Sequence, residues 1–405
     1  MLILIHNTQL LASGLSSGRS VGMAGAYTAA ARGAECVFWN PANLGFSDGS
    51  EKTLNLLSFG MNINNNSFNW GHYTQYNGKF LTAEDKQNIL DLIPLEGFNL
   101  KLDADISALN FSWGNFALTL SGQGSSDLLL PKEPIEALLF GNELNDTLLI
   151  QNSDGEAYAS FDIGLSYGRS ILKGNGKELF CGGSIRYKRG LIYQKVKKTE
   201  GELVTLETGI NGEGDFALNS AGGGKGYALD LGFAMKYRND WTFGLSFLNL
   251  LNRIKWDKEI KERGYQFRID SLLAENFDTD SLMAELSYTR DIDPFTTKTP
   301  TLMRLGVAHQ SERLLWALDF EKGLGEGMGV SRKAKASLGA EFGISGWLDL
   351  LAGFSIGGGE GITFANGLGF NLGNYHLDIG MANHKGLWPT KSKGMRLAIS
   401  TGFLW

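Results

Sequence analysis

Cysteine and proline are scarce in this 405-residue chain, which holds two of the first and seven of the second. Cys36 and Cys181 cannot build a disulfide framework; a bridge would need an oxidising compartment, and two separate thiols is the simpler expectation. The five histidines, His6, His72, His309, His376 and His384, show no HExxH or other metal-ligand spacing, so neither a metal nor another cofactor is expected. No run of 18 or more apolar residues occurs, which argues against a transmembrane helix. Positive charge is also short: 37 Lys and Arg against 43 Asp and Glu leave a net charge of −6 and no basic surface for a nucleic-acid partner. The one dense basic cluster, Lys195-Val196-Lys197-Lys198, reads as a solvated loop or strand end. No Pro/Ser-rich linker divides the chain into domains.

Catalytic patterns are missing too. Ala221-Gly222-Gly223-Gly224-Lys225-Gly226 has Asn219 where a phosphate loop needs its first glycine, and Gly226 where it needs Ser or Thr. Gly323-Leu324-Gly325-Glu326-Gly327-Met328-Gly329 fails the dinucleotide pattern. His376 and Asp378 share a strand face, but i,i+2 neighbours stand too far apart for a close dyad, and no serine completes a set. The chain is therefore not expected to be an enzyme.

What is present is glycine, 54 residues of it, and period-two alternation. Leu229, Leu231, Phe233, Met235 and Tyr237 share one face; Asp230, Gly232, Ala234 and Lys236 share the other. The division repeats in Phe161, Ile163, Leu165 and Tyr167, in Tyr375, Leu377, Ile379 and Met381, and in Met395 through Trp405. Large residues crowd one side while small and charged ones hold the other. A soluble sandwich would coat its polar side with Lys, Glu and Thr; a lipid-embedded barrel turns large residues outward and lines its bore with small and polar ones. The pattern predicts an all-β chain forming a single transmembrane antiparallel barrel. Strands are expected near 66–76, 178–193, 202–208 and 393–405 among others, with long connections at 77–98, 125–156, 209–224 and 256–284. Short helices are expected at 82–93 and 131–141. Aromatic residues at strand ends, including Trp70, Tyr73, Trp113, Trp241, Trp256 and Trp347, suggest interfacial girdles.

Ahead of the strands lies a Gly/Ala-rich stretch, Gly18 to Gly45, ending at a corner stiffened by Pro41. It is a poor independent domain and a reasonable plug for a larger container. The organisation read is a truncated signal segment at 1–13, a hatch at 14–50 and the barrel at 51–405.

Gly22-Met23-Ala24-Gly25-Ala26 and Asn40-Pro41-Ala42 resemble the N-terminal hatch of FadL/toluene-transporter outer-membrane proteins and their PorV-type relatives. Ala24 and Asn43 depart from that pattern, where glycine is usual. The resemblance implies about 14 strands, a Gram-negative outer-membrane location, and passive uptake of a hydrophobic small molecule such as a fatty acid or hydrocarbon. Its alternative is a PorV-like barrel that transports nothing and serves a secretion system as partner or cargo holder. Gly22, Gly25, Asn40, Pro41 and Ala42 are the hatch and gating candidates it points to. Phe403 and Trp405, in a last strand ending on an aromatic residue, resemble the signal read by the outer-membrane assembly machinery.

Asp162, Asp230, Asp319, Glu341, Asp349 and Asp378 should face the lumen, as should Arg186, Lys236, Arg304, Lys335 and Arg396. Pairing across the bore, and to Arg32 or Glu35 of the plug, is expected, since buried charges are normally paired. A strand kinked beside Asn40-Pro41-Ala42 would support sideways release of a ligand; an unbroken ladder there would favour the partner role.

Overall fold

The computed structural model describes residues 16–47, 51–238, 240–272 and 283–405. The expected signal segment, 1–13, lies outside the described residues, as do both ends of the expected hatch. The plug consists of helix α1 (Gly18–Gly22) and two 3-10 turns, Gly33–Phe38 and Pro41–Gly45.

The strands begin with β1 (Lys52–Asn65), β2 (Phe98–Trp113), β3 (Phe116–Leu130), the short β4 (Thr147–Leu149), β5 (Asp154–Gly174) and β6 (Lys177–Leu206). There follow β7 (Gly209–Ala221), β8 (Gly223–Tyr237), β9 (Trp241–Lys258), β10 (Lys261–Leu272), β11 (Met283–Asp291) and β12 (Phe295–Thr297). The last are β13 (Leu302–Gln310), β14 (Leu314–Gly323), β15 (Lys335–Ser345), β16 (Leu348–Gly357), β17 (Thr363–Leu372), β18 (Tyr375–His384) and β19 (Gly394–Leu404). Fourteen of them close an antiparallel barrel: β1, β2, β3, β5, β6, β8 and β9, then β13 to β19, with β19 returning to β1. Closure leaves no wall edge unpaired, the condition a sheet must meet in hydrocarbon.

The side chains are arranged inside out. In β1, Leu57, Phe59, Met61 and Ile63 stand exposed on the outer face while Ser58, Asn62 and Asn64 are buried against the interior. Phe233 and Ile399 are 42% and 41% exposed, which rules out a dry protein core as their place. Greasy residues gain by leaving water for lipid, and the polar ones keep their partners in the bore. No described helix is long and apolar enough to cross a membrane.

Several expected elements differ. Residues 66–76 are not a strand; they contain α2 (Trp70–Tyr76), where Asn69 caps the His72 N–H and His72 caps back. The helices expected at 82–93 and 131–141 are α3 (Ala83–Asp91) and α4 (Lys132–Phe140). The pieces at 178–193 and 202–208 are one 30-residue strand, β6, about three times what a bilayer needs. The connections expected at 209–224 and 256–284 hold β7 and β10, which pair with β6 and β11 in a sheet beyond the wall. Lys197 meets Glu262 there, and Lys198 meets Asp215 at 2.8 Å. Trp256 is not in a girdle: it is fully buried inside the mouth.

Candidate functional site

The plug fits because the wall beside it is made of glycine. A Cβ at Gly182 would lie 2.5 Å from the Pro41 carbonyl oxygen, and one at Gly353 would lie 2.4 Å from the Met23 carbonyl carbon. Gly22, a gating candidate, packs its Cα 3.2 Å from a Cβ built on Gly367. Two backbones can approach this closely only where side chains are missing. Gly25 has φ +84° and follows Ala24 at +54°, so the chain reverses just after α1.

The Asn40-Pro41-Ala42 corner has a definite construction. Asn40 precedes a 3-10 turn, its side-chain oxygen accepts the Ala42 N–H at 3.1 Å, and Pro41 occupies the first position of the turn, where its missing N–H costs nothing. The Asn40 Nδ2 donates to the Phe233 carbonyl at 2.9 Å, tying the corner to β8. Gly168 pairs Gly182, Gly182 pairs Gly232, and Gly232 pairs Ser246, but the β8–β9 ladder slips just beside this corner, where Asp230 alone stands opposite Leu248, Asn249 and Leu250.

A further interruption lies between β2 and β3. Between the Ser107–Ser121 and Phe111–Leu118 pairs, three residues of β2 oppose two of β3. Leu109 has φ +54° and faces outward, while the Asn110 side chain accepts the Leu120 N–H at 2.9 Å in place of a ladder bond. The Gly33–Phe38 turn packs against both strands, and Ala117 joins the plug's apolar cluster.

The plug is stapled to acidic side chains on the inner face of the wall by a residue the sequence reading missed. Arg19, on α1, reaches Glu341 at 2.5 Å, Asp378 at 2.9 Å and Asp349 at 3.0 Å. Asp319 accepts the backbone N–H groups of Tyr27 and Thr28 at 3.1 and 2.8 Å. Arg304 pairs Glu321 at 2.6 Å, donates to the Phe38 carbonyl and lies over the Trp39 ring. Asp230 and Asp162 hold Arg186 within the wall. Lys236 is half-buried toward the short-turn end of β8. Arg32 and Glu35 both make bonds within the plug. Arg32 donates to the carbonyls of Ala29, Ala30 and Ala31, and Glu35 accepts the Tyr27 hydroxyl at 2.5 Å. Phe403 stacks on Trp405, which exchanges backbone bonds with Lys52 where the barrel closes. Cys36 and Cys181 are free thiols.

Beyond the plug, toward the long connections, lie two cavities of about 150 and 370 Å³. Their walls carry Asp103, Arg304, Glu321 and Lys335, with Trp39 of the plug on the floor of the smaller. Glu360, in the turn between β16 and β17, is held by Lys335 at 3.0 Å and by Arg396. Burial pushes its carboxyl up, but the two cations outweigh that and hold it well below the usual carboxylate range. A depressed carboxylate contributes stability that is fully present above its unfolded value of ~4.3 and lost as pH falls through the lower folded value. Acidification below that folded value is expected to lower the melting temperature of the wild type more than that of Glu360→Gln, measured in nanodiscs; equal losses would remove Glu360 as the cause.

Comparison with known proteins bears on the architecture. Residues 206–381 match a family model described as a family of unknown function (DUF5723). No curated protein matches the chain in sequence. The toluene transporter TbuX of Ralstonia pickettii superposes with a TM-score of 0.53 at 12% identity, covering 97% of this chain and 99% of that one. TodX of P. putida, also a toluene transporter, gives 0.53 at 13% identity with 98% and 99% covered. This chain has the FadL-type barrel fold. A FadL homologue of Pseudomonas aeruginosa agrees, at a TM-score of 0.52, 13% identity and coverage of 98% and 99%. In this FadL-type barrel the hatch motif read from sequence is the plug seen in the bore.

Proposed function

We propose that this barrel lies in the outer membrane of a Gram-negative bacterium and admits a hydrophobic small molecule passively, past the plug and out sideways into the lipid. The naming of TodX and TbuX as toluene transporters supports the reading. The observation that carries it is the β2–β3 interruption, which lies against the Gly33–Phe38 turn of the plug. The β8–β9 slip beside Asn40-Pro41-Ala42 is filled by Asp230, which accepts the Asn249 N–H at 2.7 Å and the Arg186 guanidinium. A gap filled by charge counts against an exit there, so the way out is assigned to β2–β3 instead. On this reading residues 14–50 form the hatch and 51–405 the barrel, with a signal segment before them. Gly22 and Gly25 give the hatch its close fit and its reversal, and Asn40, Pro41 and Ala42 anchor it. Phe403 and Trp405 would present the closing strand to the assembly machinery.

Deleting Leu109 leaves two residues opposite two and restores the β2–β3 register, while shifting one end of the β1–β2 ladder by one residue. Proteoliposomes carrying the deletion are expected to lose roughly tenfold in uptake of a labelled hydrocarbon, about 1.4 kcal/mol in the barrier. The barrel should stay folded by its heat-shifted gel migration. Uptake at the wild-type rate from a folded deletion would refute the β2–β3 exit.

A second reading rests on the outer sheet. β6 runs beyond the wall to carry β7, β10 and β11, and among the described residues β11 pairs only with β10. That platform would suit the secretion-partner role. Removing the outer strands would then abolish co-purification of an exported protein while leaving hydrocarbon uptake unchanged.

A further inference from the structure

The connection between β14 and β15 does not stay outside. It folds back into the barrel mouth as a tight turn, Gly327 and Val330 exchanging backbone bonds at 3.1 and 3.0 Å. Three successive residues, Gly327, Met328 and Gly329, have φ of +116°, +49° and +80°. Two glycines explain themselves there, but a methionine in the left-handed region does not. Strain of this kind persists where surrounding contacts hold it, often at sites that work.

What holds it is the Met328 side chain, buried in an apolar cluster with Tyr158, Tyr193, Ile254 and Trp256, with Phe295 packed alongside. Ring centroids of Tyr193 stand 5.5 Å from Trp256 and 5.3 Å from Phe295, so the slot has aromatic walls. Trp256 lies flat on the wall because Gly190 and Gly224 have no side chains; a Cβ at Gly190 would be 2.7 Å from its ring. The polar contacts to Met328 are few: the Tyr158 hydroxyl donates to its carbonyl at 3.0 Å, its N–H donates to Glu156 at 3.3 Å, and the Thr299 hydroxyl meets its sulfur at 4.0 Å. Met328, Gly329, Val330 and Ser331 line both vestibule cavities, so the turn is the partition between them.

We infer that the Tyr158–Tyr193–Trp256–Phe295 slot is a binding site for a small aromatic hydrocarbon, and that Met328 is its resident stand-in. The inference rests on the uptake reading and adds to it where the ligand is first taken. A flexible thioether fills an irregular aromatic slot adequately and contacts ring edges favourably. A flat apolar ring stacks between aromatic walls better. On binding, Met328 leaves, the turn relaxes from its left-handed conformation, and the two cavities join above the plug. No bond is made or broken; the exchange is a competition between one apolar group and another.

The full chain in nanodiscs, with methyl-labelled methionine, tests this with ethylbenzene as probe. The Met328 methyl signal, assigned by its loss in Met328→Leu, is expected to start shifted by the surrounding rings and to move saturably to a solvent-like position. Met328→Ala, which empties the slot, is expected to bind ethylbenzene about tenfold more tightly than wild type, because binding no longer requires the lid to open. Met328→Leu keeps the slot filled and should bind as wild type does. Weaker or unchanged binding in a folded Met328→Ala, or a methyl signal that ignores saturating ethylbenzene, would overturn the site. Uptake continuing in that case would leave the transport reading standing. Tight binding without uptake in any variant would do the opposite, keeping the site and removing the transport reading.

Discussion

Arg19→Ala is expected to unseat the plug and let small hydrophilic solutes through the barrel. The guanidinium answers three carboxylates at once, Glu341, Asp349 and Asp378, from strands β15, β16 and β18. Their side chains are between 4% and 18% exposed, so little water replaces a lost cation. Removing one partner from such a cluster costs about 3–5 kcal/mol, because the remaining charges stay buried and repel one another. Part of that strain would be relieved by the plug moving away and water entering. Taking about 3 kcal/mol, the detached population rises on the order of a hundredfold. Sugar-driven swelling of proteoliposomes and single-channel conductance would read the change directly. Arg19→Lys should fall between, since an ammonium cannot fork to three carboxylates. Adding Glu341→Gln and Asp349→Asn to Arg19→Ala removes the repulsion and should restore much of the seal. If Arg19→Ala were as tight and as stable as wild type, the electrostatic staple would have no part in holding the plug.

The wall was legible because its physics is local. Alternation in segments such as Leu229–Tyr237 sets the faces, and small residues on the polar side told barrel from sandwich. The corner was legible for the same reason, since Asn40, Pro41 and Ala42 build their turn from three neighbours. Arg19 was not, because its partners are 322 to 359 residues away and only closure of the barrel brings them together. A signal did exist: Glu341, Asp349 and Asp378 all pointed inward, and a cation had to come from somewhere. The pattern of β7 failed for a different reason. Its sheet stands outside the wall, so no lipid selects large residues for one face, and Gly209 to Ala221 mixes glycine and charge along its length. Trp256 was misplaced by a sound general tendency. A tryptophan near a strand end usually meets the interface, and only Gly190 and Gly224 on neighbouring strands make room for it inside. His72 fell within the strand expected at 66–76, although Asn69 three residues earlier is what a capping box requires.

Gly232→Val offers the sharpest test of how the plug is fitted. A Cβ at this position would stand 2.0 Å from the Asn40 side-chain oxygen and 3.0 Å from the Ala42 nitrogen. That oxygen is the cap of the corner, and the amide of the same side chain anchors it to Phe233, so one methyl group strikes both functions. Loss of the cap costs about 1 kcal/mol and forced overpacking about 1–3 kcal/mol, so a total near 3 kcal/mol is expected in denaturant unfolding. Gly174, with nothing within 4 Å of its added Cβ, is the control, and Gly174→Val should stay within about 0.5 kcal/mol of wild type. Asn40→Ala alone removes the cap without a clash and should cost about 1 kcal/mol. The pair tells most. With Asn40→Ala in place the oxygen is gone, so Gly232→Ala should then cost much less than it does in the wild type, a coupling expected only of residues in contact. Independent, additive losses would mean the corner does not rest on β8. The many wall glycines would then be a feature of strand geometry and not the mould of the plug.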